Sequence, residues 1–288
     1  MAQVLFAPAK INLTLEVLAR RDDGYHGVRS VMVPLALADE LAIEPAAAFS
    51  FECDRGDLGN ERNLAVRALR ALGLEPNAAL RLRKRIPSEA GLGGGSSDAG
   101  AVLRAAADGA FGPVPACDWV AVARSLGSDV PFFLAGTGAL VEGTGERVTA
   151  VGALPAWHAL VVKPPAGVST AVAYAELDKR ERTIRPRNES VSLRMVEALQ
   201  RAEFGTVESL MRNDFQDAIA ALVPEVRITL DALRAAGAGN ALLAGSGSCV
   251  FTIAPDPAHI AEVDRALALD ATYRRFVTAF AATPAWRP

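Results

Sequence analysis

Between residues 91 and 98 the chain reads GLGGGSSD, four glycines and two serines ahead of an aspartate, followed by an alanine-rich run to residue 108. Glycine lets a backbone come close to a ligand, and the amides at a helix entrance point outward without intrahelical acceptors. Several such amides in succession, those of Gly91, Gly93, Gly94, Gly95, Ser96 and Ser97 here, can donate to phosphate oxygens. A helix cap or an ordinary tight turn would use the same residues, so the segment alone leaves both uses open. A dinucleotide fingerprint fits poorly, because the register starting at Gly91 and Gly93 puts Ser96 at the third glycine position. The GxxxxGK[ST] loop is missing too, so no lysine is locally placed against terminal phosphates.

Other residues carry chemistry only if the fold brings them together. An alcohol becomes a useful nucleophile when a carboxylate takes its proton, and Asp129 is a candidate for that work. An aspartate at a helix start is also a common cap. Lys10 can stabilise developing negative charge, or it can be a solvated surface charge. Asn12 both donates and accepts, which suits a ligand hydroxyl or a strand-edge hydrogen bond. Tyr25 offers an aromatic face and His26 two directional nitrogens, chemistry suited to a base and equally to packing. Thr170 and Tyr174 are four residues apart, a spacing that puts both on one helix face. Gly245-Ser246-Gly247 forms either a second close-approach loop or a hairpin turn, and Cys249 beside it reads as a small buried hydrophobe.

The elements that must position these residues follow from periodicity. Residues 11–17 alternate apolar and polar side chains, predicting a strand with one buried face. After a polar turn at 20–24, residues 28–37 and 40–51 predict two further strands. Asn60 is expected to cap a helix running to residue 71 and ending near Gly73, with a strand over 78–86 after it. A helix over 98–108 follows the glycine loop, and another covers 117–126 before Gly127. Ser128 or Asp129 then caps a short turn through residue 134. Strands are predicted at 139–141, 160–162, near Leu242 and Val250, and at 274–280. Helices are predicted at 169–177, 191–202 and 225–236 and from Pro257. Prolines 155, 164 and 165 suggest a crossing into a second half near residue 155.

Composition narrows the classes. With 288 residues, 51% apolar and 22% charged, the chain can bury a substantial core and accommodate two modest domains. Thirty basic against thirty-three acidic residues, a net charge of −3, disfavours a nucleic-acid-binding surface. Three cysteines without a CxxC spacing indicate neither a disulfide framework nor a zinc cluster, which makes a reducing cytoplasm the expected compartment. No apolar run approaches the roughly eighteen residues of a membrane span, and the start lacks the pattern of a cleaved leader, so no membrane partner is expected.

Three separated motifs give the chain a family resemblance: PAKINLTLEV at 8–17 followed by DGYH at 23–26, IPSEAGLGGGSSDAG at 86–100, and LLAGSGSCVF at 242–251. Together with LGSDVPFFLAG at 126–136, they resemble the GHMP kinase superfamily and, within it, the kinases of 4-diphosphocytidyl-2-C-methyl-D-erythritol in the non-mevalonate route to isoprenoids. The resemblance implies an α+β, two-domain fold. Residues 1–155 would form an N-terminal ATP-binding domain like the second domain of ribosomal protein S5, and 156–288 a ferredoxin-like C-terminal domain. It implies ATP and Mg2+ as cofactors, with Lys10 and Asp129 catalytic. Asn63 would lie on the adenine side and the 91–97 loop on the phosphates. Asn12, Tyr25, His26, Thr170 and Tyr174 would face the cytidylylated acceptor, with Tyr25 and Tyr174 as opposite walls around cytosine. The magnesium ligands and the oligomeric state are not fixed by these motifs. Another small-molecule kinase of the superfamily, or a nucleotide-binding regulator without turnover, are the competing expectations. Two departures from the family pattern stand out. Glu89 precedes the loop, where it is expected to face away from phosphate, and Gly100 replaces a commoner alanine at a cost of about 1 kcal/mol of helix propensity.

Overall fold

The structure is a computed structural model that describes residues 3–22, 24–74, 78–180 and 186–281; Asp23 of the 23–26 motif lies outside the described residues. The first half opens with two long antiparallel strands, β1 (Gln3–Arg20) and β2 (His26–Pro45), then β3 (Ser50–Cys53), α1 (Leu64–Ala71), β4 (Ala78–Arg83), α2 (Gly94–Ala107), α3 (Trp119–Leu126), α4 (Val130–Ala135), β5 (Ala139–Gly143) and β6 (Arg147–Ala150). Next come β7 (His158–Lys163), α5 (Thr170–Leu177), α6 (Val191–Gln200), α7 (Phe204–Leu210), β8 (Arg212–Asn213), α8 (Gln216–Leu222) and α9 (Pro224–Ala235). The described chain closes with β9 (Leu242–Leu243), β10 (Val250–Ala254), α10 (Pro257–Ala266) and β11 (Arg274–Ala279). The larger sheet has the order β3-β4-β2-β1-β8, with β5 also pairing β2 and β6 pairing β5. The smaller is antiparallel, in the order β11-β7-β10-β9. No described helix is long and apolar enough to cross a membrane.

One apolar core joins the sheets. Ile11, Leu13, Val31 and Val33 of the first pack with Ala159, Val161, Phe251 and Ile253 of the second, and Met195 of α6 completes the cluster. This layer explains a departure from the sequence pattern. The alternation at 11–17 predicts one wet face, yet Asn12, Thr14 and Glu16 are all buried. Elements from the second half cover that face: Ser192 Oγ lies 2.8 Å from Thr14 Oγ1, and Ser190 Oγ donates to Glu16 Oε2. The polar side chains therefore meet polar partners instead of water.

Further corrections are local. The strands expected at 28–37 and 40–51 are one continuous β2 through residue 45, because Asp39 between them is buried and accepts from the amides of Arg85 and Ile86, and so does not break the strand. Asn63, not Asn60, caps α1, its Oδ1 accepting from the Ala65 amide. The helix after the glycine loop starts at Gly94, four residues before Asp98. Strands β6 and β8 and helices α7 and α8 are elements that periodicity did not reveal; all four are short, between 2 and 7 residues. Gly100 has a packing reason: a Cβ there would sit 2.7 Å from Phe133 Cβ, so glycine lets α2 and α4 approach closely.

Candidate active site

The glycine loop hangs between β4 and α2. Its path is fixed where the Lys10 amide donates to the Leu92 carbonyl at 2.9 Å. Gly93 caps α2 with φ of +71° and no side-chain bond, and the first amide to return into the helix is that of Ser97, to the Gly93 carbonyl at 2.8 Å. The amides of Gly94, Gly95 and Ser96 thus lie ahead of the intrahelical ladder, at the positive end of a 14-residue helix. Ser97 Oγ is buried with no hydrogen-bond partner among the described residues. Close contacts make the glycines necessary. A Cβ on Gly91, at φ +77°, would lie 1.8 Å from the Ala244 carbonyl oxygen, and one on Gly93 would lie 3.1 Å from Lys10 Cγ.

The second glycine loop closes on the first. A Cβ on Gly247 would lie 2.1 Å from the Gly91 nitrogen, and one on Gly245 would lie 3.0 Å from Lys10 Nζ. Asn213 braces this loop by donating from Nδ2 to the carbonyls of Leu243 and Gly245, at 2.8 and 2.7 Å. Sequence reasoning did not single out Asn213, which lies in a two-residue strand with no periodic signal.

Lys10, 4% exposed, is held on β1 with its Nζ donating to Asn12 Oδ1 at 2.8 Å and lying 3.5 Å from Asp129 Oδ2. The two-residue spacing puts Lys10 and Asn12 on one face of the strand. Asn12 Nδ2 donates in turn to Ser30 Oγ at 2.8 Å, and Ser30 Oγ donates to the Thr14 carbonyl at 2.6 Å. Asn12 is accordingly committed to orienting the lysine. Asp129 occupies the N-cap position of α4 but makes no side-chain cap bond, so its carboxylate is free to face Lys10.

Lys10, Asn12, Tyr25, His26, Asp129, Thr170 and Tyr174 all line one cleft of about 1130 Å³. Tyr25 is 70% exposed. Tyr174 stacks on the His26 ring at 5.6 Å with 14° between planes and meets Phe215 edge-on at 4.9 Å. His26 Nε2 lies 2.9 Å from Asp178 Oδ1, and Nδ1 lies 3.1 Å from the Leu18 carbonyl. Asp178 and Phe215 were not foreseen as part of this wall. Thr170 Oγ1 is 3.0 Å from Ser246 Oγ, which ties α5 to the second glycine loop. Neither the loop from Gly91 to Ser97 nor Asn63 lines the cleft, and the loop meets the cleft residue Lys10 at Gly93, whose Cβ would lie 3.1 Å from Lys10 Cγ. Asn63 spends its amide on the Ala65 nitrogen and the Leu58 carbonyl, while Leu64 Cδ1 lies 3.5 Å from where a Gly95 Cβ would be. It therefore supports the flank of the cradle. Glu89 sits at φ +52° with its carboxylate against Gly167, 2.5 Å from that residue's ideal Cβ. Complete burial pushes the Cys249 thiol up to about 12, which fits a packing residue and not a nucleophile.

Chemically, the arrangement offers helix-entrance amides for an anion and, beyond a shared lysine, a carboxylate facing a cleft large enough for a small molecule. Comparisons with known proteins agree. The family models described as "GHMP kinases N terminal domain" and "GHMP kinases C terminal" match residues 63–137 and 195–271. A Deinococcus radiodurans protein named 4-diphosphocytidyl-2-C-methyl-D-erythritol kinase is 44% identical over 271 residues, covering 91% of this chain and 88% of that protein. A Thermus thermophilus protein of the same name is 40% identical over 269 residues, covering 91% of each. Among solved structures, a crystal structure of 4-(cytidine 5'-diphospho)-2C-methyl-D-erythritol kinase superposes with a TM-score of 0.79 at 37% identity, covering 97% of this chain and all of the other. Homoserine kinase from Cytophaga hutchinsonii, at 18% identity and TM-score 0.70, covers 98% of this chain and 95% of its own, and shares the fold.

Proposed function

This chain belongs to the GHMP kinase superfamily and, within it, to the 4-diphosphocytidyl-2-C-methyl-D-erythritol kinases, and on that footing we propose that it moves the γ-phosphoryl group of ATP to the 2-hydroxyl of 4-diphosphocytidyl-2-C-methyl-D-erythritol. The observation that carries the proposal is the Lys10–Asp129 pair, 3.5 Å apart on the cleft wall and in contact with the glycine loop through the Lys10 backbone. In this reading residues 1–155 form the nucleotide-binding part and 156–288 complete the acceptor side.

The donor substrate is the magnesium complex of ATP. Mg2+ in that complex would neutralise phosphate charge during transfer. Its phosphates rest on the amides of Gly94, Gly95 and Ser96, where the helix dipole favours negative charge. Asp129 accepts the acceptor's hydroxyl proton as the oxygen bonds to phosphorus and the bond to the ADP oxygen breaks. Lys10, oriented by Asn12, pairs with Asp129 before transfer and stabilises negative charge at the transferring group. Tyr25, His26 and Tyr174 supply the aromatic and hydrogen-bonding surface for cytosine, and Thr170 with Ser246 lies toward the diphosphate.

An assay with MgATP and a panel of alcohols, including the cytidylylated methylerythritol, homoserine and mevalonate, tests this. The expected result is ADP release with the cytidylylated acceptor and a phosphate on its 2-oxygen. Turnover of another alcohol beside none of this one would redirect the assignment, and ATP binding with no turnover of any would make the chain a regulator.

A further inference from the structure

We propose that the buried cluster of Lys84, Asp39 and Asp98 is the positioning element of the nucleotide cradle, with Lys84 setting the place and the potential of the α2 entrance without touching the ligand. The proposal rests on the reading of that entrance as the phosphate site.

Lys84 follows β4, Asp39 lies on β2 and Asp98 lies on α2 one turn past Gly94. Their side chains are 6%, 0% and 1% exposed, so the three groups form a buried cluster. Lys84 Nζ contacts Asp39 Oδ2 and donates to Asp98 Oδ2 at 2.7 Å. Asp39 Oδ1 accepts from the amides of Arg85 and Ile86, at 2.6 and 2.8 Å. One carboxylate thereby pins the chain entering the glycine loop to β2, and the ammonium pins that same chain to the helix leaving it. Both ends of the loop are tied to one point.

The ammonium also fills a particular space. A Cβ on Gly94 would lie 3.3 Å from Lys84 Nζ and 3.0 Å from Ile86 Cγ2, so the ammonium sits beside the first helical residue and leaves little room there for a side chain. A cation there opposes the helix dipole in the empty protein, and an anion bound to the same amides reverses the balance. A buried ion cluster gives little stability over an apolar replacement, which leaves fixed geometry and fixed charge as what it provides. Three ionised groups would carry a net −1. Burial, resisted by Lys84 and aided by Asp39, pushes Asp98 up to about 7, so the cluster approaches neutrality by holding a proton, while Asp98 Oδ1 is buried without a hydrogen-bond partner among the described residues.

The test measures ATP affinity by calorimetry, steady-state constants for both substrates, and amide hydrogen exchange over residues 94–101 in wild type, Lys84→Met and Asp98→Asn. Lys84→Met is expected to weaken ATP binding about tenfold or more, to leave the acceptor KM within about twofold, and to speed exchange at the start of α2. Asp98→Asn keeps an oxygen for Lys84 and should retain ATP affinity within about threefold. If Lys84→Met does not fold, Asp98→Leu, which cuts only the tether to α2, carries the same expectations. A folded Lys84→Met or Asp98→Leu with wild-type ATP affinity and wild-type exchange would overturn the proposal, as would equal loss of affinity for both substrates. Wild-type protein that binds no ATP would refute the kinase reading itself, and faster exchange in the variants would still report the anchoring.

Discussion

Replacing Asp129 by asparagine removes one charge and almost no volume. The carboxylate makes no cap bond to α4, so the substitution forfeits no capping energy. Its partner is Lys10 at 3.5 Å, a side chain 4% exposed facing one 30% exposed. Coulomb's law at an effective dielectric of 20 gives about 5 kcal/mol of gross attraction at that separation, most of which the desolvation of the two ions cancels. Because Lys10 keeps its bond to Asn12 Oδ1, the expected net loss of stability is about 1–2 kcal/mol, or roughly 2–4 °C in Tm for a chain of this size. ATP affinity should be retained, since the amides of Gly94, Gly95 and Ser96 are set by Lys10's backbone and by α2 and not by Asp129. Loss of a general base costs about 10²–10⁴ in turnover, or roughly 3–5 kcal/mol of barrier. The assay is ADP release at saturating MgATP and acceptor, with a thermal melt and ATP calorimetry on the same preparation. A kcat within about threefold of wild type would remove Asp129 from the base role. A fall in ATP affinity that matched the fall in kcat would show that the residue acts on donor binding instead.

Three further outcomes are expected. Gly91→Ala should lower stability by about 3 kcal/mol or more, because its Cβ would meet the Ala244 carbonyl at 1.8 Å in a left-handed backbone; a melting temperature within 2–3 °C or so of wild type would contradict the interlocked loops. Iodoacetamide at pH 8 or so should modify Cys53 and Cys117 in the native protein before Cys249, whose buried thiol is pushed up to about 12; mass spectrometry showing Cys249 modified first would refute its inert packing role. Asp98 is raised from 3.8 to about 7 by burial, so the folded state holds its proton more tightly than the unfolded chain does. That contribution is fully present below the unfolded value and is lost as pH rises through about 7. Between about pH 4 and 7 the wild-type melting temperature should therefore fall more steeply with rising pH than that of Asp98→Asn, and parallel slopes would show that the carboxyl is not held protonated.

Much of this protein was legible in its chain because the signals were local. The glycine run at 91–97 announces an amide-lined helix entrance, since glycine's dihedral freedom and the unpaired first-turn amides are properties of a few consecutive residues. The alternation at 11–17 likewise announces a strand, and the helices expected at 169–177 and from Pro257 stand as Thr170–Leu177 and Pro257–Ala266. The chain's order also places Lys10 and Asn12 on one face before any contact is known.

What the tertiary structure decided was everything that depends on which distant segments share a space. Lys10 and Asp129 are 119 positions apart in the numbering and meet where β1 and α4 both pack against α2, with Gly100 against Phe133. The polar face of β1 reads as a wet surface until the serines of the 190–192 segment cover it. Asp39 reads as a strand break until the chain after β4 presents two amides and a lysine to it. Periodicity reports how a segment turns its side chains, and it carries no record of the partner that burial brings; the pairing comes from strand register and packing, which involve the whole chain at once.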